Sequence, residues 1–312
     1  MDRRDFVTAS LTFAALGAVS GGAWSEVAEP AVERTYVTVN GVKLAVSMAG
    51  PEDAPPMIVL HGGRGYGTHG GVFQTYLPLA KKHRLIGLDM RGHGASEAVG
   101  PFTFDQIVDD IEALRLKIGG GQPMVLLGGS FGGMIALSYA VRYQHGLSHL
   151  ILRGTAPSWH HEEGALKNFE ARVSKAPMAT PEMLHKLFTP NIESDEEFRL
   201  IMFALTPMYV DDPSVIDYNA VLTRLSHRIY RANVHNDLFA DHSYDVVSQL
   251  PDIKVPTLVF CGENDWICPP DQSRLIASAI DSAELHIVPD SNHGVPAAKA
   301  LPLVSDFLMR TS

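Results

Sequence analysis

The stretch from Pro123 to Leu137, Pro-Met-Val-Leu-Leu-Gly-Gly-Ser-Phe-Gly-Gly-Met-Ile-Ala-Leu, constrains the fold of this chain more than any other. An apolar run suited to a strand enters Gly128-Gly-Ser130-Phe-Gly132 and leaves as a helix-like run. A serine at the apex of so sharp a strand-to-helix turn needs small neighbours, because the two arms pass closely and the turn pushes the side chain out to where a substrate reaches it. Ser130 is therefore the candidate covalent nucleophile.

Two later apolar runs end in the residue types that such a serine requires. Pro256-Thr-Leu-Val-Phe-Cys-Gly262 leads into Glu-Asn-Asp265, and Glu284-Leu-His-Ile-Val-Pro289 leads into Asp-Ser-Asn-His293. In a parallel sheet the carboxyl ends of the strands share one edge, so residues far apart in sequence meet there. A serine hydroxyl is a weak nucleophile near neutral pH and needs a base whose pKa lies near the working pH, which imidazole supplies. A carboxylate then orients the imidazole and stabilises its charged form. His293 is expected as general base and Asp265 as orienting acid. Glu263 is the rival acid, while Asp290 stands too near His293 along the chain to face its ring.

A tetrahedral intermediate needs N–H donors aimed at its oxyanion. The turn after Ser130 offers the N–H of Phe131. The glycine-rich stretch His61-Gly-Gly-Arg-Gly-Tyr-Gly67, following the apolar run Met57–Leu60, offers that of Gly63. The same stretch lacks the Gly-x-x-x-x-Gly-Lys pattern of a phosphate loop, and no dinucleotide fingerprint is correctly placed. No cofactor and no metal are expected: His160-His-Glu-Glu163 lacks the spacing that sets two ligands on one helical face.

Strand-like runs near 57–60, 84–88, 123–128, 147–152, 256–261 and 284–288 alternate with helix-like stretches near 71–82, 103–118, 131–144, 270–280 and 296–309. Two alternating runs flanking Asn40-Gly41 add a hairpin ahead of them. The expectation is an α/β fold, a mostly parallel, doubly wound eight-stranded sheet. The rhythm breaks over residues 155–240, where apolar residues fall at helical spacing among acidic ones, so a helical cap is expected there. Core segments at 29–154 and 241–312 flank it. The chain has 312 residues, 46% of them hydrophobic, with a formal net charge of −10. Such a chain buries a large core, and its negative balance argues against nucleic acid as a partner.

The first residues read Met-Asp-Arg3-Arg4-Asp-Phe6, followed by a mild apolar run and small residues up to Ser25. Paired arginines ahead of a short Ala/Gly-rich segment predict a twin-arginine signal peptide over residues 1–28, read by the twin-arginine export machinery. A periplasmic or secreted protein with no membrane span in its mature form follows. Cys261 and Cys268 are close enough in sequence for a disulfide, and a buried free thiol is an equal expectation at Cys261.

Taken together, these motifs resemble the α/β-hydrolases over residues 33–310, and within them the proline iminopeptidase-like serine hydrolases, whose His-Gly-Gly-Pro-Gly is similar to His61-Gly-Gly-Arg64-Gly. The resemblance implies a serine hydrolase that forms an acyl-enzyme on a small-molecule ester, lactone or amide, with an iminopeptidase acting on short peptides as the alternative. Arg64 departs from the hallmark proline, and Asp89-Met-Arg-Gly-His-Gly-Ala-Ser96 reads like the general esterase pattern. Proton-moving chemistry without an acyl-enzyme and a binding protein with a vestigial triad are the remaining classes. For substrate contacts the candidates are Arg64, which suits a substrate carboxylate, and Trp159 and Tyr209, which suit an apolar pocket. An aminopeptidase would instead need cap carboxylates facing inward.

Overall fold

The computed structural model describes residues 33–210 and 212–311. The expected signal segment 1–28 and the start of the first core segment, 29–32, lie outside the described residues. The first two strands, β1 (Thr35–Val39) and β2 (Val42–Ala49), pair antiparallel across Asn40 and Gly41. Both turn residues have positive φ, 46° and 75°, as a tight hairpin turn of matching twist requires.

β2 then pairs antiparallel with β4 (Arg84–Leu88). From there the sheet is parallel through β3 (Pro56–Leu60), β5 (Met124–Gly129), β6 (Leu147–Arg153), β7 (Thr257–Gly262) and β8 (Ala283–Val288). The order across the eight strands is β1-β2-β4-β3-β5-β6-β7-β8. Strands added after β3 run one way across the sheet and those from β5 the other, so the direction reverses between β3 and β5. Such a reversal opens a crevice at the carboxyl ends of the two strands. The loop that begins at His61 and the turn at Ser130 leave these two strands, and so flank the crevice.

β3 and β5 are buried along their whole length, which explains their continuous apolar sequences. Helices α1 (Gly70–Tyr76), α2 (Phe104–Ile118) and α3 (Phe131–Tyr143) follow β3, β4 and β5. One apolar cluster gathers α2 and α3 through Ile107, Ile111 and Ile135, and a second, including Phe73 and Phe307, fills the opposite face. The helical stretch expected at 71–82 divides at Pro78: α1 stops at Tyr76 and a 3₁₀ segment runs over Leu77–Lys81. Proline has no N–H for an α-helical ladder, which accounts for the break.

Among the described residues between β6 and β7 lie the α-helices α4 (His161–Arg172), α5 (Pro181–Leu187), α6 (Asp195–Leu205), α7 (Tyr218–His227) and α8 (Ala232–Ala240). Thr180, Ser194 and Asp217 accept hydrogen bonds from the first-turn N–H groups of α5, α6 and α7, which fixes where those helices begin. The segment buries its own apolar cluster around Phe169, Phe198 and Leu205, joined by Trp266. Arg231 ties it to the sheet edge through its N–H to the Gly65 carbonyl (2.9 Å) and its Nη1 to the Gly92 carbonyl (2.9 Å). The chain closes with α9 (Pro270–Ala279) and α10 (Ala297–Thr311). Among the described residues no helix is long and apolar enough to cross a membrane.

Candidate active site

Ser130 sits between β5 and α3 with φ 55° and ψ −125°, a backbone conformation that side chains rarely adopt. Its surroundings hold it there. The Ser130 N–H donates to the Arg153 carbonyl (2.9 Å), and the Ser130 carbonyl accepts from Thr155 Oγ1 (2.8 Å) and from the Met134 N–H (3.1 Å). A methyl group on Gly128 would come within 2.1 Å of the Gly132 carbonyl oxygen, and one on Gly132 within 2.7 Å of that of Leu60. Only glycine lets the turn close against its neighbour strand.

Past β7, Asp265 is buried and hydrogen-bonded on all sides. Its Oδ1 accepts the N–H groups of Ile267 (3.0 Å) and Cys268 (2.9 Å), and both carboxylate oxygens lie 2.9 Å from His293 Nδ1. With Nδ1 committed to a carboxylate it carries the proton, which leaves Nε2 as the basic nitrogen. The His293 loop is anchored in turn: its N–H donates to Asn292 Oδ1 (2.8 Å), and Asn292 Nδ2 donates to the Met208 carbonyl (3.2 Å) in the helical segment. Gly154, at φ 49°, makes room for the acid, since a methyl there would meet Asp265 Oδ2 at 2.8 Å. Glu263 and Asp290 are exposed.

The loop after β3 is braced by two buried histidines. His61 Nε2 accepts the Met90 N–H (3.1 Å), so its proton sits on Nδ1 and is donated to the Gly62 carbonyl (3.0 Å). His93 does the same one layer away, accepting from the Gly65 N–H (2.8 Å) and donating to the Arg91 carbonyl (2.9 Å). Burial pushes His61 down to about 4 and His93 to about 3, so both are neutral. Gly63 takes φ 83° over the face of Tyr66. Gly62 lies against Ser130, where a methyl would stand 3.1 Å from its Cβ.

Ser130, Gly63, Phe131, Arg64 and Tyr209 line one cavity of about 60 Å³. The phenols of Tyr209 and Tyr66 are hydrogen-bonded to each other, and the Tyr209 ring centroid lies 6.3 Å from that of His293. Arg64 is no surface residue: it is 6% exposed, its Nη2 donates to Tyr244 Oη (3.0 Å) and Met134 Sδ (3.2 Å), and its guanidinium lies 3.9 Å from the centroid of Phe239. Trp159 is elsewhere, stacked on His242 with His160 tilted against it, and does not line the cavity.

Residues 55–297 match the family described as alpha/beta hydrolase fold. The chain belongs to the α/β-hydrolase fold family. The hydrolase is 45% identical over 85% of its length to proline iminopeptidase PfmaB of Pestalotiopsis fici, covering 94% of that protein. It is 27% identical over 84% of its length to a proline iminopeptidase of Levilactobacillus brevis, covering 90% of it. Among solved structures, the enol-lactonase of Burkholderia xenovorans superposes with a TM-score of 0.68 at 25% identity, over 88% of this chain and all of that one.

In this α/β hydrolase the acidic residues between β6 and β7 mostly face away from the cavity. Glu163 and Glu170 are exposed, Glu193 and Glu197 hold Lys186, Glu196 pairs with Arg199, and Asp212 and Asp217 cap helices. Asp211 lies outside the described residues. Among the described ones, Glu162 turns towards Arg64, 3.7 Å from its Nη1. Burial raises its carboxyl to about 7 against the opposing pull of Arg64.

The cavity wall also holds residues that no sequence motif marked, His161, His235, Phe188 and Phe239 among them. His235 and Phe239 stand one helical turn apart on α8, a spacing that reads as ordinary core until the neighbouring element is known. Cys261 and Cys268 are free thiols, both buried.

Proposed function

We propose that this serine hydrolase cleaves a small ester or lactone through an acyl-enzyme on Ser130. The Ser130 hydroxyl attacks the carbonyl carbon while His293 Nε2 takes its proton, and Asp265 holds the resulting imidazolium through Nδ1–H. The N–H groups of Gly63 and Phe131 receive the oxyanion. His293 then returns the proton to the departing alcohol oxygen, and a water activated by the same histidine releases the acid. Helices α4–α8 act as the cap that bounds the pocket and limits water there.

The observation that carries the ester reading is the sign of charge at the cavity wall. An N-terminal amine is recognised by carboxylates, whereas among the described residues the charged group lining this cavity is the guanidinium of Arg64, and the Glu162 carboxyl nearby faces that cation. A proline iminopeptidase is the second reading, favoured by the relative of that name at 45% identity. Comparing kcat/KM on a short-chain 4-nitrophenyl ester and on prolyl-4-nitroanilide tests them. Preference for the ester is expected; preference for the prolyl amide overturns the ester reading in favour of the peptidase. The paired arginines Arg3 and Arg4 further support export of the folded enzyme by the twin-arginine route, to the periplasm or beyond.

A further inference from the structure

Arg64 occupies the position at which the iminopeptidase-like hallmark has proline, and it lines the cavity that Ser130 also lines. A buried cation is costly unless charge and hydrogen bonds compensate it. Here the compensation is partial. Nη2 is engaged by the Tyr244 hydroxyl and a thioether, both neutral, and the aromatic faces of Phe239 and Tyr244 lie 3.9 and 5.1 Å from the guanidinium carbon. Among the described residues the nearest carboxyl, Glu162, stands 3.7 Å from Nη1, beyond hydrogen-bond distance. Among the described residues Nη1 and Nε donate no hydrogen bond to the protein. A fork of guanidinium donors with two positions unspent is suited to a planar carboxylate.

Beside Arg64 on the same wall, His235 is 1% exposed, with the carbonyls of Arg64, Lys186 and Thr189 around its ring nitrogens.

The size of the space narrows the ligand. At about 60 Å³ it holds roughly four to six waters at 10–15 Å³ each, which suits a short acyl chain.

We propose that Arg64 is a carboxylate-binding subsite, so that the substrates of this hydrolase are short esters or lactones carrying a free carboxylate. The subsite rests on the ester reading for its place in turnover, but its affinity for a carboxylate does not depend on it. Substrate carboxylate takes the donors that Glu162 does not reach, and a protonated amine in the same space meets a cation.

The test uses mono-4-nitrophenyl glutarate and its neutral counterpart 4-nitrophenyl pentanoate. The wild type is expected to favour the acidic ester in kcat/KM by about 10- to 100-fold, the range of one charge-assisted hydrogen-bonded contact. Arg64→Gln is expected to erase that ratio and Arg64→Lys to restore part of it. Glutarate binding to wild-type protein, measured by calorimetry, needs neither turnover nor a variant. Ester hydrolysis with no preference for the acidic ester and no glutarate binding overturns the subsite alone. Glutarate binding without hydrolysis of either ester supports the subsite and overturns the esterase reading.

Discussion

His293 Nδ1 lies 2.9 Å from both carboxylate oxygens of Asp265, and Asp265 Oδ1 is at the same time held by two backbone N–H groups. The carboxylate therefore has no freedom to turn away from the ring, and the ring has one tautomer.

Asp265→Asn presents an amide to Nδ1 in place of a carboxylate, which favours the tautomer with its proton on Nε2 and removes the charge that stabilises the imidazolium. A fall in kcat of about 10²–10⁴ is expected, with the fold retained. Steady-state kinetics with circular dichroism check this; a near-normal rate would point to Glu263.

Ser130 holds a backbone strain of about 1–3 kcal/mol, which glycine does not feel. Ser130→Gly is therefore expected to be inactive yet more stable by about 1 kcal/mol, after allowing for the greater entropy that glycine loses on folding. Thermal melts of the variant and wild type decide it. A lower melting temperature for Ser130→Gly would mean that the turn is not strained in solution.

Four buried histidines set the acid limit of stability. Burial holds His61 at about 4 and His93, His161 and His235 at about 3, against an ordinary value of 6.5. Below pH 6.5 the unfolded chain takes up protons that the folded protein refuses, so stability falls as pH drops towards 4, by up to about 1.4 kcal/mol per pH unit for each group. Above pH 6.5 they contribute nothing. Glu162 acts in the opposite sense: raised to about 7, it binds a proton in the folded state first, and adds stability as pH falls from 7 to 4.5. One group opposes four. Urea midpoints at pH 7.5, 6.0 and 5.0 should fall in that order; a flat series would show that these histidines are not buried neutral.

Arg3→Lys combined with Arg4→Lys is expected to keep the protein in the cytoplasm of a bacterial host. Fractionation of the cells reads this directly, and undiminished export would remove the twin-arginine reading.

The fold was legible because its signals are local. Six apolar runs, the two alternating runs about Asn40-Gly41 and the glycines around Ser130 each carry their meaning within a few residues, and the parallel order of the strands brings the loops after β3, β5, β7 and β8 to one edge. Pro78 was as local a signal, and it divides the helix expected at 71–82. The cavity wall was legible only in part: Arg64 and Tyr209, expected at the substrate, do line the cavity. The setting of Arg64 was not, because Phe239 and Tyr244, which lie against its guanidinium, come from 175 and more positions away. His235 and Phe239 look like any helical core pair, and Trp159, as aromatic as Tyr209, stacks outside the cavity. Which face of a helix meets the pocket is decided by packing between elements, which periodicity alone does not contain.

Central to the account is Ser130 as a nucleophile that forms a covalent acyl-enzyme. Treating the folded protein with a fluorophosphonate and locating the adduct by peptide mass mapping tests that claim most directly. Stoichiometric modification of Ser130, abolished in Ser130→Ala, is the predicted result; a folded protein that takes no label, or takes it at another residue, would contradict it.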